Sequence, residues 1–150
     1  MTKTPYQWII NELPYTDPFL FVDTILNIDA KGVEGSYTFD AQTDFYKGHF
    51  REYPVTPGVI LTECCAQIGL VCLGIYLLGK DGAFKDIKIG MSSSQMDFLL
   101  QVLPGERVRV VSELVYFRFQ KLKCHVKMYN EANKLVCKGT LAGMIGGYCE

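Results

Sequence analysis

The chain is organised around residues 47–67, KGHFREYPVTPGVILTECCAQ. This stretch contains His49, one of only two histidines, and Glu63, the only carboxylate within a long apolar run. Prolines and a glycine between them determine how that run begins. A proton-accepting imidazole, a rigid turn, a helix start and a carboxylate in apolar surroundings form an unusual combination within so short a stretch. The rest of the chain is interpreted as the scaffold that positions them.

Length and composition indicate a globular protein. The 150 residues suffice for one domain, residues 1–150, with a substantial core. Hydrophobic residues make up 49% of the chain and charged residues 21%, which excludes a disordered chain. The formal net charge of −1 lacks the basic excess typical of nucleic-acid-binding domains, so we expect no nucleic-acid partner.

The cysteines indicate a reducing compartment and not a metal site or a disulfide framework. No two of the six form a CxxC pair, and no Cys/His cluster has zinc-ligand spacing. The N-terminal residues lack the pattern of a signal peptide. We therefore predict a cytoplasmic protein without metal or cofactor, whose cysteines are reduced core residues: Cys64, Cys65, Cys72, Cys124, Cys137 and Cys149.

Two strand-forming segments precede the central stretch. Residues 1–12 suggest a short helix or arm. Residues 19–28 are rich in β-forming side chains and predict a strand, and residues 33–39 alternate between polar and apolar. The turn-forming residues 29–32 between them predict a β-hairpin.

A long helix begins in the central stretch. Thr56 suits the N-cap, Pro57 suits the first helical position, and Gly79 is a natural helix end. A helix of about 22 residues, roughly 33 Å long, that is apolar on nearly all faces either crosses a membrane or is buried on most sides. Glu63 and Gln67 lie one turn apart within it. A charge at that depth is costly in lipid, which favours burial inside a protein.

The C-terminal half predicts an antiparallel meander. Residues 84–98 form an extended segment, and residues 107–117, 121–129 and 135–145 have the composition of strands, with the clearest alternation in residues 121–129. A sheet that curls around the helix explains why the helix lacks a polar face. The predicted fold is therefore α+β, with a strongly curved antiparallel sheet wrapped around one long central helix.

The two histidines are not equivalent. His125 alternates in phase with Lys121, Lys123 and Lys127, so we expect it on the solvated face of its strand. His49 lies outside any periodic segment, in a loop beside the apolar helix start. That position makes it the better functional candidate, with a purely structural histidine as the alternative.

Glu63 strengthens the functional interpretation. Its neighbours in sequence are mostly apolar, so the charged carboxylate loses hydration and the protonated acid is favoured. A hydrogen bond to the backbone or to Gln67 is the structural alternative. A His base and a carboxylic acid together suit removal of a proton from carbon with protonation of a departing oxygen. A helix that begins at Pro57-Gly58 offers free N–H groups to a substrate carbonyl, although an ordinary helix start needs no ligand.

The central stretch resembles the hot-dog fold family of (3R)-hydroxyacyl-[acyl carrier protein] dehydratases. The shared pattern is Gly-His-Phe, three residues, Pro, two residues, Pro-Gly-Val, three residues, Glu, two residues and Ala-Gln. It is filled here by Gly48-His49-Phe50, Pro54, Pro57-Gly58-Val59, Glu63 and Ala66-Gln67. The resemblance covers residues 13–145 and implies a hot-dog sheet of about six strands.

The resemblance also implies roles for individual residues. His49 would take the C2 proton, Glu63 would serve the departing 3-hydroxyl, and the Gly58 N–H would polarise the thioester carbonyl. Each site would be shared between two subunits joined edge to edge, in a homodimer or a trimer of dimers. Acyl carrier protein would deliver the substrate on its phosphopantetheine arm, in fatty-acid, polyene or related lipid biosynthesis. The other residues implied to line the substrate site are Val59, Phe50, Pro57 and Gln67.

Some positions depart from the family pattern or leave other functions open. Arg51 stands where Pro usually follows Gly-His-Phe, and Tyr15 replaces the His of a Leu-Pro-His motif. Lys47 and Arg51 flank His49 as a candidate docking patch for an acidic carrier protein, or as ordinary surface charges. The alternatives on this fold are an acyl thioesterase, which needs no Gly-His-Phe segment, and a non-catalytic acyl-thioester-binding module. Glu at position 63, where isomerising relatives carry Asp, favours dehydration alone.

Overall fold

The computed structural model describes residues 5–79 and 88–146. These residues form one six-stranded sheet and one long helix. In chain order the elements are helix α1 (Gln7–Asn11), strands β1 (Thr24–Asp29) and β2 (Gly32–Thr38), a 3-10 turn (Asp44–Lys47), helix α2 (Gly58–Gly79), and strands β3 (Lys88–Phe98), β4 (Arg107–Arg118), β5 (Lys121–Tyr129) and β6 (Leu135–Gly146).

The sheet is antiparallel throughout, with the order β1-β2-β4-β5-β6-β3. The predicted hairpin is confirmed as β1–β2, and the predicted meander as β4–β5–β6. Strand β3 precedes the meander in the chain but pairs with its last strand, β6, over most of its length. It therefore forms one edge of the sheet, a position that its sequence did not predict.

The inner face of the sheet packs on α2. In β5 the buried side chains alternate with lysines and His125 on the outer face, which is the pattern of a strand with one face on the core. Helix α2 is long and apolar enough to span a membrane, with a mean hydropathy of 1.9, but 72% of its apolar window is buried inside the protein. That burial favours the core-helix interpretation. The predicted α+β fold, a sheet wrapped around one central helix, is confirmed.

Helix α2 is not uniform, because residues Gln67–Val71 form a π-helical turn in its middle. Gly69 lies in this turn, where the helix approaches the sheet closely. A Cβ atom at Gly69 would lie 2.8 Å from Val126 Cγ1 and 3.0 Å from Ser112 Cβ. The missing side chain therefore sets the distance between helix and sheet.

The prediction of a strand over residues 19–28 was wrong in its first half. Strand β1 begins only at Thr24. The preceding segment bonds to the helix instead: the Phe21 N–H donates to Gln67 Oε1 (2.8 Å), and Gln67 Nε2 donates to the Phe19 carbonyl (3.0 Å). The buried Gln67 side chain thus satisfies the backbone N–H of Phe21 and the carbonyl of Phe19, which in a strand would bond a neighbouring strand.

The predicted helix start was wrong by one residue. Pro57 occupies the N-cap with an extended conformation, and Gly58 is the first helical residue. The Thr56 hydroxyl does not cap the helix, because it forms a buried hydrogen bond of 2.5 Å with the Tyr46 hydroxyl. Gly79, the predicted helix end, is the last residue of this helix that the structure describes.

The cysteines within the described residues are free and buried. Five are seen in this state, as predicted: Cys64, Cys65, Cys72, Cys124 and Cys137. The sixth, Cys149, and the first part of the extended segment predicted over residues 84–98 lie outside the described residues.

We predict that Gly69→Ala destabilises the protein. In an ordinary helix this change stabilises by about 0.5–1 kcal/mol, because alanine loses less backbone freedom on folding. At Gly69 the methyl group overpacks the interface with Val126, which costs about 1–3 kcal/mol. Urea unfolding measures the difference. Gly48→Ala is the matched control, since a Cβ at Gly48 meets no atom within 4 Å. A stabilised Gly69→Ala variant would contradict the proposed packing limit.

Candidate active site

The His49 imidazole is held by a hydrogen bond that determines its tautomer. Its Nδ1 lies 2.9 Å from the Val55 carbonyl oxygen, and the Val55 N–H donates back to the His49 carbonyl (2.8 Å). A carbonyl oxygen only accepts, so Nδ1 carries the proton. In the neutral ring Nε2 then has the free lone pair, and it is the nitrogen able to act as a base.

The chain around His49 is a closed turn. The N–H groups of Gly48 and His49 both donate to the Phe45 carbonyl, at the end of the 3-10 turn. Phe50 and Tyr53 exchange two backbone hydrogen bonds, of 2.9 and 3.1 Å. The Phe50 ring stacks on the imidazole with 4.1 Å between ring centroids, and it is 54% exposed. The predicted site residues His49 and Phe50 therefore form one unit at the surface.

The start of α2 presents free backbone donors. Ile60 and Leu61 donate their N–H groups to the Pro57 carbonyl. The N–H groups of Gly58 and Val59 have no hydrogen-bond partner in the part of the chain that the structure describes. Both groups lie at the positive end of the helix dipole. They can therefore bind an oxygen atom that carries negative charge.

Phe98 is a neighbour of this helix start that the sequence analysis missed. Its ring carbons lie 3.3–3.5 Å from the position that a Cβ atom at Gly58 would occupy. Gly58 thus leaves room for an aromatic ring at the end of β3. Nothing in the local sequence links residues 58 and 98, because only the β3–β6 pairing brings this end of β3 beside the helix.

The Glu63 carboxylate is half-buried and has one hydrogen-bond partner among the described residues. Its Oε2 accepts a hydrogen bond from Gln67 Nε2 (3.0 Å). Its Oε1 accepts none from the described residues. Gln67 is fully buried and both ends of its amide are hydrogen-bonded. Its Nε2 donates to Glu63 and to the Phe19 carbonyl, and its Oε1 accepts from the Phe21 N–H. Gln67 therefore positions one oxygen of Glu63 and leaves the other available.

His49 and Glu63 are not joined within one chain. In residues 5–79 and 88–146, no hydrogen bond or ion pair connects them. The His49 imidazole is hydrogen-bonded to the Val55 carbonyl, and the Glu63 carboxylate is hydrogen-bonded to Gln67. The fourteen-residue separation therefore places the two candidate side chains on one scaffold, each with a different hydrogen-bond partner.

Tyr15 and two cysteines lie around the same part of α2. Burial, followed by the negative charge of Glu63, raises the pKa of Tyr15 to about 12. Burial also raises the pKa of the Cys64 and Cys72 thiols. Neither cysteine is therefore a ready thiolate nucleophile, and Glu63 and His49 remain the candidate acid–base groups.

The remaining predicted residues lie at the surface. Lys47 and Arg51 are exposed, and Lys47 Nζ lies 3.4 Å from Asp44 Oδ1 in a solvated pair that contributes little to stability. Val59 is 76% exposed. His125 is exposed on the outer face of β5 and bonds the Thr140 hydroxyl (3.0 Å), as predicted for a surface histidine.

A cleft of about 810 Å³ opens between residues 17–23 and the segment that precedes His49. Four aspartates line the cleft: Asp17, Asp23, Asp40 and Asp44. Their negative charges disfavour an anionic ligand. No group of three or more His, Cys, Asp or Glu side chains suited to a metal ion occurs among the described residues.

Comparison with known proteins shows the family to which the chain belongs. A model of the FabA-like domain matches residues 13–140. The 3-hydroxyacyl-[acyl-carrier-protein] dehydratase FabZ of Listeria welshimeri is 32% identical over 130 residues, which cover 86% of this chain and 87% of the relative.

Two solved structures share the fold. The dehydratase heterocomplex ApeI:P of Xenorhabdus doucetiae matches with a TM-score of 0.76 and 11% identity, covering 97% of this chain and 93% of that one. A hypothetical thioesterase of Streptococcus pneumoniae, solved with coenzyme A, has a TM-score of 0.60 and 17% identity, covering 84% and 87%. At these identities the likeness concerns the fold alone. The family match and the sequence relative carry the assignment: the chain belongs to the FabA-like domain family, with FabZ dehydratases among its relatives.

Proposed function

We propose that this protein is a 3-hydroxyacyl-[acyl carrier protein] dehydratase, which converts a (3R)-3-hydroxyacyl thioester into the trans-2-enoyl thioester and water. The observation that carries the proposal is the His49 tautomer, because the Val55 carbonyl leaves Nε2 free to act as a base. The dehydratase name of the sequence relatives supports the same activity. A thioesterase would not require this histidine.

The reaction uses the two half-sites in one elimination. His49 Nε2 takes the C2 proton, and the electrons of that C–H bond form the C2=C3 double bond as the C3–O bond breaks. Glu63 gives its proton to the departing hydroxyl through Oε1, the oxygen that Gln67 leaves free. The N–H groups of Gly58 and Val59 bind the thioester oxygen as it gains enolate charge.

Other residues of the site hold these groups in place. Pro57 fixes the backbone conformation at the helix start, and its carbonyl closes the first turn. Phe50 covers one face of the His49 ring. Gln67 orients the Glu63 carboxyl without needing to touch substrate. No step requires a cofactor.

The complete site is assembled from two copies of the chain. Strand β3 is an edge strand of 11 residues, and its described side chains are mostly exposed, including Met91 and Phe98. A long exposed edge is a template for pairing with another chain. Because Phe98 lies beside Gly58, a second copy paired at β3 would reach the start of α2. There its His49 meets the Glu63 of the first copy, in a dimer or a trimer of dimers.

Acyl carrier protein is the proposed substrate carrier, and the cytoplasm the proposed location. The free, buried cysteines support a reducing compartment. Lys47 and Arg51, exposed on either side of His49, form the proposed docking patch for the acidic carrier. The outer sheet face is also basic, since β5 and β6 place Lys127 opposite Lys138 there.

Activity with a 3-hydroxyacyl thioester tests the proposed reaction. We expect enoyl absorbance in the near ultraviolet, with loss of about 100-fold or more in kcat for His49→Ala and for Glu63→Gln, since each removes one proton-transfer group. Circular dichroism serves as the folding control. Free thiol release without enoyl product would indicate a thioesterase. Substrate binding without either product would indicate a non-catalytic module.

Mixed dimers test the shared site. The variants His49→Ala and Glu63→Gln are each inactive, but random mixing of their subunits regenerates one intact site in half of the dimers. We expect recovery of about a quarter of wild-type activity after denaturation and refolding of an equal mixture. Each variant refolded alone is the control. A mixture as inactive as the controls would show that both residues of a site come from one chain.

Charge reversal tests the docking patch. Lys47→Glu combined with Arg51→Glu should raise the KM for carrier-bound substrate by about tenfold and leave the KM for a short thioester mimic unchanged. Lys127→Glu combined with Lys138→Glu changes the net charge equally on the outer face, so it is the matched control. A larger KM effect from the control pair, or equal effects on both substrates, would contradict docking at Lys47 and Arg51.

A further inference from the structure

The turn between β4 and β5 holds two residues in the left-handed conformation. Arg118 and Lys121 are the last residues of the two strands to pair, and Phe119 and Gln120 connect them with φ angles of 52° and 63°. Positive φ at both positions is the geometry of a type I′ hairpin turn, for which Asn-Gly is the favoured sequence. A bulky aromatic residue is strained there, because its Cβ crowds the following carbonyl oxygen. The turn geometry therefore does not explain a phenylalanine at position 119.

The Phe119 side chain contributes almost nothing to the core. It is 90% exposed, the highest fraction among the large hydrophobic side chains that the structure describes. It lies beyond the last paired residues, so it protrudes from the end of the hairpin. The backbone of the turn is held against the sheet, since the Ile145 N–H of β6 donates to the Gln120 carbonyl (2.8 Å). A fixed turn thus presents an apolar ring to the surroundings.

Three cations flank this ring, and no acidic residue occurs between residues 114 and 124. Strand pairing places Arg118 opposite Lys121 and Tyr116 opposite Lys123. The Arg118 guanidinium lies 4.2 Å from the centroid of the Tyr116 ring, and Lys123 Nζ lies 5.9 Å from the same centroid. None of the three cations forms an ion pair with a carboxylate of the described residues. Their positive charge is therefore available to a partner.

We propose that this hairpin tip binds the surface of an anionic lipid bilayer. Phe119 enters the boundary between headgroups and acyl chains, and the three cations lie against the lipid phosphates. An exposed aromatic side chain beside lysine and arginine is the combination that gives peripheral binding to anionic membranes. The residues that form the hairpin tip are Tyr116, Arg118, Phe119, Lys121 and Lys123, with the half-exposed Met144 opposite Lys121.

The shape of the hairpin tip favours a bilayer over a protein partner. A ring that protrudes from a two-residue turn requires a pocket of matching shape on a folded partner, whereas the headgroup layer of a bilayer adapts to it. Attachment through one ring and a few cations is weak and reversible, and no part of the chain needs to span the membrane. The inference is independent of the proposed dehydratase function.

The hairpin tip lies at the end of the sheet away from the start of α2. Phe98, beside Gly58, pairs with Cys137 of β6, and Cys137 pairs with Met128 of β5. Between Met128 and Lys121 the strand advances by roughly 23 Å. Within one chain, lipid bound at the hairpin tip therefore leaves the free N–H groups of the helix start open to substrate.

Cosedimentation with lipid vesicles tests the proposal. We expect the protein to sediment at low salt with phosphatidylcholine vesicles that contain about 30% phosphatidylglycerol, and to stay in solution with phosphatidylcholine alone. Lys121→Glu combined with Lys123→Glu should lower the partition coefficient by about tenfold or more, since cations near the surface supply the attraction. Lys127→Glu combined with Lys138→Glu, an equal charge change elsewhere on the outer face, is the matched control and should have a much smaller effect.

Phe119→Asn separates membrane binding from folding. Asparagine tolerates a positive φ, so we expect the variant to melt about 2–4 °C higher than the wild type while its partition coefficient falls about tenfold. Phe119→Trp should keep the binding, and its fluorescence should shift to the blue when anionic vesicles are added. The wild type, which has Trp8 as its only tryptophan, is the blank for that measurement.

Three outcomes would overturn the proposal. The first is a wild-type protein that stays in solution with the anionic vesicles. The second is a Phe119→Asn variant that melts lower and binds vesicles as tightly as the wild type, which would give Phe119 a role in folding. The third is a higher KM for carrier-bound substrate in the Lys121→Glu, Lys123→Glu variant without any vesicle binding, which would make the hairpin tip a docking surface for the acidic carrier. The vesicle measurements require no turnover, so they hold even if the protein makes no enoyl product.

Discussion

The hydrogen bonds of the fully buried Gln67 are the constraint on which the site depends. A buried amide is costly unless its donors and acceptor are paired, and this one bonds Phe19, Phe21 and Glu63. These bonds attach the segment before β1 to the central helix and fix one oxygen of the acid. The Gln67 side chain therefore both satisfies the hydrogen bonds of the core and orients the carboxyl of the proposed acid, Glu63.

The burial of α2 leaves its first turn open to solvent and to a substrate. The sheet covers the body of the helix, and its first turn remains open beside the exposed edge strand β3. The His49 loop is closed by hydrogen bonds between His49 and Val55, and among the described residues His49 forms no hydrogen bond with Glu63. The open helix start and the exposed edge strand are the features on which the proposed site shared between two copies depends.

Local patterns predicted most elements, and the errors occurred where distant residues intervene. The alternation in residues 121–129 matches β5 at both ends. The first half of the strand predicted over residues 19–28 does not form, because Gln67 hydrogen-bonds the backbone there. Thr56, the predicted N-cap, hydrogen-bonds Tyr46 instead. Side-chain partners far along the chain replaced the local backbone partners that propensity assumes.

The sequence by itself determined the fold class, the central helix and the identity of the candidate acid and base, because periodicity and motif spacing are local properties. Only the tertiary structure decided the tautomer of His49, the free oxygen of Glu63, the edge position of β3 and the attachment of the segment before β1 to the central helix. These features arise from contacts between residues such as Phe19 and Gln67, which are 48 positions apart. No local pattern encodes such a contact, since it exists only once helix and sheet have packed together.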